Sequence, residues 1–247
     1  MISAGDPLAV AAVEAVRAGD VAALRRLLAE HPALATARVA DGGGAARTLL
    51  HVVTDWPGHF PNGPVTVAAL VAAGADVDAR FVGRHRETPL HWAASCDDVA
   101  VLDALLDAGA DIDAPGAVIG GGTPLADARA FGQWRAAHRL VERGARVTLQ
   151  DAATLGLLDR VERHFADAET GAGPAPDDVH AAFWGACHGG RLACVAYLLD
   201  RGADLNWIPP WERLTPLDAA IRRAAAEAAA TEPDATEPDA TEPDATE

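Results

Sequence analysis

A six-residue pattern returns along this chain. Thr88-Pro89-Leu90-His91-Trp92-Ala93 recurs as Thr48-Leu49-Leu50-His51-Val52-Val53, as Thr123-Pro124-Leu125-Ala126-Asp127-Ala128 and as Thr215-Pro216-Leu217-Asp218-Ala219-Ala220. Gly-Ala-Asp recurs at Gly74, Gly109 and Gly202, with Gly144-Ala145-Arg146 as a variant. Thr88 to Gly109 is 21 residues, and so is Thr123 to Gly144. Weaker copies begin near Val147 and Ala181, so the steps from Thr48 to Thr215 average about 33 residues. A period this short specifies small stacked units, each in contact with its neighbours alone.

Each piece has a physical task. Thr is a good N-cap, and Pro suits the first helical position, where no amide donor is needed. Val99, Leu102, Leu105 and Leu106 fall at helical spacing and form one apolar stripe. Gly109 then supplies a left-handed C′ position. The pattern predicts two helices per unit, each about ten residues long and too short to be stable alone in water. Neighbouring units must therefore complete the core.

The motif, the Gly-Ala-Asp element and the period together resemble the ankyrin repeat, over roughly residues 5–225. The resemblance implies an all-α ankyrin-repeat solenoid of helix-turn-helix units joined by short finger or hairpin connections. It also implies a non-catalytic scaffold that binds protein partners through the face made of first helices and fingers. The expected organisation is an N-terminal capping unit at 1–46, then three units at 47–146 with an inserted loop at 56–64. Two degenerate units at 147–213, a partial unit at 214–230 and a disordered acidic tail at 231–247 follow. Within this scheme, the short spacing after Gly144 predicts a missing finger. Low-complexity sequence from Asp167 to Asp178 is expected to interrupt the stack, and Ala-rich sequence to replace the second helix of the last unit.

Composition narrows the function classes. Asp and Glu number 36 against 20 Arg, with no Lys, for a net charge of −16. Seven of the acids lie in the last seventeen residues, which leaves −9 on the body. Such a chain lacks the basic footprint that drives nucleic-acid binding. Three cysteines in a long chain argue against a secreted disulfide framework. Asp6 and Glu14 near the start, without a basic segment before an apolar run, argue against a signal peptide. No membrane association is expected; a cytoplasmic monomer is. The Ala-, Arg- and Gly-rich, Lys-free usage fits a GC-rich bacterial genome.

No catalytic constellation assembles in the sequence. His51 and His91 sit in the motif, where a structural hydrogen-bonding role is expected. Cys96, Cys187, His188 and Cys194 have the residue types for zinc but lack paired ligand spacing. Cys187 occupies an Ala position and reads as a small buried hydrophobe. Gly42-Gly43-Gly44 and Gly120-Gly121-Gly122 read as finger turns, since no Lys follows them. Asp97, Asp98, Asp111 and Asp113 read as solvated surface carboxylates. No catalytic, cofactor or metal-binding residue is therefore assigned.

The remaining signal is side chains that the repeat does not require. These are Trp56 and Phe60 in the inserted loop, Arg84, His85 and Arg86 on one finger, and Trp207, Trp211 and Arg213 on the last. Trp and Arg are enriched among binding anchors. Because fingers align along one edge, the Arg84 and Trp211 fingers are expected to share a groove. Two rival readings have the Trp56 loop capping its own stack and Trp207 and Trp211 sealing Leu214 and Leu217. At the level of function, the alternatives are an acidic regulator or inhibitor of a nucleic-acid-binding enzyme and, further off, a ligand- or metal-binding enzyme.

Overall fold

The computed structural model describes residues 1–166 and 173–231. These form thirteen α-helices, mostly in antiparallel pairs: α1 (Pro7–Ala18) with α2 (Val21–Glu30), α3 (Leu49–Val53) with α4 (Gly63–Ala72), and α5 (Pro89–Ser95) with α6 (Val99–Asp107). The series continues with α7 (Pro124–Ala130), α8 (Trp134–Glu142), α9 (Leu149–Leu155), α10 (Leu158–Ala166), α11 (Pro176–His188), α12 (Leu192–Leu199) and α13 (Pro216–Thr231). This is the expected helical solenoid with one addition. Strand β1 (Ile2–Ser3) pairs parallel with β2 (Val39–Ala40), which pairs antiparallel with β3 (Ala46–Arg47). The added strand ties the N-terminus to the first finger.

Local chemistry sets the helix starts. Thr48 and Thr88 form capping boxes with His51 and His91, and Thr148 forms one with Asp151. In the first two, the Thr amide and hydroxyl both approach the His Nδ1, the hydroxyls at 2.9 Å. The far Nε2 then reaches a carbonyl of the next unit, Glu87 O for His51 at 3.2 Å and Gly122 O for His91 at 3.3 Å. Nδ1 accepts and Nε2–H donates, which specifies the neutral ring. Burial pushes both imidazoles down to about 4.

The linkage changes at the third unit, where Ala126 replaces the His. There Arg129 donates to Asp151 of the following helix at 2.8 Å, and both side chains are largely buried. Ala126 has no ring to reach the next unit, so an Arg–carboxylate pair takes over the contact between units.

Buried Leu and Ala form the core, which divides at α9. Leu155 packs with the first cluster, while Leu149, Ala152 and Ala153 pack with the second around Phe183 and Leu198. Helix α11 approaches α9 so closely that a Cβ on Gly185 would stand 2.2 Å from Thr154 Oγ1.

Several expectations need correction. Pro176, Asp177 and Asp178, assigned above to a low-complexity interruption, begin α11, while residues 167–172 lie outside the described set. The Ala-rich sequence after Thr215 stands where the second helix would, and it is itself helical, prolonging the first helix of that unit to Thr231. The expected disordered tail, beyond Thr231, lies outside the described residues. Asp98 is buried, caps α6 by accepting from Val101 N–H, and also accepts from His59 N–H at 2.8 Å. Asp97 Oδ1 accepts from Ala136 N–H, and Asp113 Oδ1 from Arg146 N–H. These carboxylates join units instead of merely facing water.

Candidate interaction face

The inserted loop between α3 and α4 is clamped to both neighbouring units. Asn62 Nδ2 donates to Gly19 O at 2.9 Å on one side. On the other, His59 N–H donates to Asp98, and the His59 ring meets Cys96 O at 3.1 Å. Gly58 carries φ +76° and lies so near that an added Cβ would be 2.9 Å from Cys96 Cβ. Asp55 is held by Arg47 at 2.7 Å and Arg17 at 3.3 Å. Trp56 is left projecting, 81% exposed. The loop is thus docked on both sides, with its Trp free of the packed core.

Trp56 overhangs a groove of about 450 Å³ lined by Glu87, Trp92, Ser95, Cys96, Val118, Phe131 and Gln133. Trp92, in the motif position after His91, packs edge-on against His51 at 5.0 Å and tilted against Phe81 at 5.3 Å. Phe131 caps the end of α7 and is 48% exposed. Cys96 is a poor nucleophile here: burial, with Asp55 and Asp98 nearby, pushes its thiol up to about 11.

Further along the same face a second groove, about 310 Å³, is lined by Ile119, Thr123, Ala126, Arg129, Trp184, His188, Trp211 and Glu212, among others. An aromatic series runs from its wall into the last finger. Trp184 stacks on His188 at 5.4 Å, Trp211 meets Trp184 edge-on at 6.1 Å, and Trp207 packs on Trp211 at 5.7 Å and on His180 at 6.1 Å. Trp184 Nε1 donates to Leu214 O at 2.9 Å. The last finger is therefore fastened to α11, and Leu217 stays 67% exposed. A seal by Trp207 and Trp211 over Leu217 is not what forms.

The sequence-nominated residues separate. Trp56 lines the first groove and Trp211 the second, whereas Phe60, Arg84, His85, Arg86, Trp207 and Arg213 line neither. Phe81 N–H donates to Glu87 O at 2.8 Å, so Arg84, His85 and Arg86 sit at a hairpin tip. The shared groove expected for the Arg84 and Trp211 fingers does not form, because intervening units stand between them. The arginines lining the groove with Trp211 are Arg129 and Arg146. Sequence reading passed over Phe131, Val118 and Ile119, each more than a third exposed. Their signal was large apolar residues in places where neither helix stripe nor cap requires one. Among the described residues no cluster of His, Cys, Asp or Glu is arranged to hold a metal ion.

The ankyrin-repeat family model matches residues 85–117, the unit with the full motif. Among solved structures, the ankyrin repeat domain of Bcl-3, a member of the IkappaB protein family, is similar. Its TM-score is 0.52 with 26% sequence identity, covering 87% of this chain and 94% of that one. The chain contains an ankyrin repeat and folds as an ankyrin-repeat solenoid. A search of the curated proteins finds no match. In ankyrin terms, both grooves lie where first helices meet fingers. Among the described residues no helix is long and apolar enough to cross a membrane.

Proposed function

We propose that this ankyrin-repeat solenoid is a non-catalytic scaffold that holds a protein partner on the face formed by its first helices and fingers. One observation carries the reading. Trp56, Phe131, Val118, Ile119 and Trp211 expose apolar surface along that face, and the loops carrying Trp56 and Trp211 are tied to the stack by the Asn62–Gly19, His59–Asp98 and Trp184–Leu214 hydrogen bonds. Exposed aromatics on a rigid support are the anchors that dominate protein interfaces. Capture of the partner from the native host, followed by affinity measurement with the purified pair, tests this. Trp56→Ala with Trp211→Ala should weaken the complex at least tenfold, about 1.4 kcal/mol, while the fold is retained. Unchanged affinity in that variant, with loss in Arg84→Ala/Arg86→Ala, would move the site to the finger tip.

A further inference from the structure

The groove beneath Trp56 has a chemical polarity that a purely apolar anchor does not need. Its aromatic walls are Trp56, Trp92 and Phe131, and its lining includes the Glu87 carboxyl, 6% exposed. Asp127 lies against Glu87 and is fully buried. Its Oδ1 accepts from Val118 N–H at 3.2 Å, and its side chain shares a hydrogen bond with the Glu87 carboxyl. Neighbouring cations are committed elsewhere. Arg129 is committed to Asp151, and Asp55 at the rim is itself held by Arg17 and Arg47. His85 faces Glu87, and the Cys96 thiol is neutral.

We infer that this groove receives an arginine side chain of the bound protein, its guanidinium between the aromatic walls and against Glu87, with Asp127 behind. The inference rests on the reading of this face as the interaction surface. A cation over indole and phenyl faces gains from the ring quadrupoles, more so when partly desolvated. The two adjoining carboxyls, Glu87 at the groove and Asp127 behind it, supply the countercharge. A planar guanidinium suits this setting better than an ammonium, since it stacks flat and presents several donors in a fork. The strongly acidic chain favours a basic partner segment. Without a cation the two carboxyls hold one proton between them. Entry of the guanidinium turns that acid into a carboxylate and releases the proton to solvent.

Titration with acetyl-arginine amide, followed through the indole N–H signals of Trp56 and Trp92, tests the assignment. Acetyl-citrulline amide serves as the uncharged isostere. Saturable shifts are expected with arginine, at least tenfold tighter than with citrulline and tighter at pH 8 than at pH 6. Glu87→Gln should cost at least tenfold, and Trp56→Ala should weaken binding without moving the melting temperature. Equal response to arginine and citrulline, or none to either, overturns the proposal, and an equal response to acetyl-lysine amide overturns the choice of guanidinium. Should arginine fail while Trp56→Ala still weakens the protein complex, the cation assignment alone falls. Should arginine bind while the Trp56 and Trp211 variants leave the protein complex intact, the interaction-face reading falls instead.

Discussion

His91 Nε2 stands 3.3 Å from the carbonyl of Gly122, the residue just before the next motif Thr, and His51 Nε2 stands in the same relation to Glu87. The motif His is therefore a strut between units as well as a cap within one. His91→Ala should lose about 1–3 kcal/mol of stability, because the Thr88 amide and the Gly122 carbonyl lose a buried partner. Denaturant melts measure this. Partner affinity of the folded fraction should hardly change, and full stability with lost binding would contradict the structural role.

Gly58→Ala tests the docking of the inserted loop. The substitution places a methyl against Cys96 and forces a left-handed conformation on an L side chain. A loss of about 1–3 kcal/mol is expected. Alanine tolerated at that site, with an unchanged midpoint, would mean that the loop is not clamped.

Asp127 makes stability depend on pH in a defined window. Burial and the neighbouring Glu87 charge push its carboxyl up to about 8, against 3.8 as the ordinary value. The folded state thus binds the extra proton, and its contribution is present below the ordinary value and lost as pH rises toward 8. His51 and His91 act oppositely: their depressed values cost stability as pH falls from 6.5 toward 4. At pH 6.5 the unfolded imidazoles are still half protonated, so between pH 6.5 and 8 they offset part of the Asp127 effect, and comparison with Asp127→Asn separates the two. The wild-type protein should lose on the order of 1 kcal/mol over that span, and Asp127→Asn should remove that loss. Equal slopes in the two proteins, read from melts at both ends, would refute the buried acid.

The Arg129–Asp151 pair should behave as a buried ion pair. Arg129→Ala strands Asp151, which also accepts from the Thr148 amide and hydroxyl. A loss of about 3 kcal/mol is expected. A double-mutant cycle with Asp151→Asn should show coupling, whereas additive effects would mean that the two side chains stabilise the stack independently.

The helix starts, the helix-ending glycines and the period were legible in the sequence because each depends on residues within one turn or one unit. Thr88-Pro89-Leu90-His91 specifies its cap locally, and the family resemblance followed from it. The grooves were legible only in part. Trp56 and Trp211 stood out as residues that the repeat does not need, yet their surroundings come from elsewhere in the chain. Phe131 joins Trp56 from two units further on, and Asp127 joins Glu87 across one unit boundary. Such meetings are set by the register of one unit on the next, which depends on close approaches such as that of α11 to α9 and on the fold of the inserted loop. Local spacing determined that this chain stacks; only the stacking decided which side chains share a groove, and why two acids came to be buried together beneath three aromatic rings.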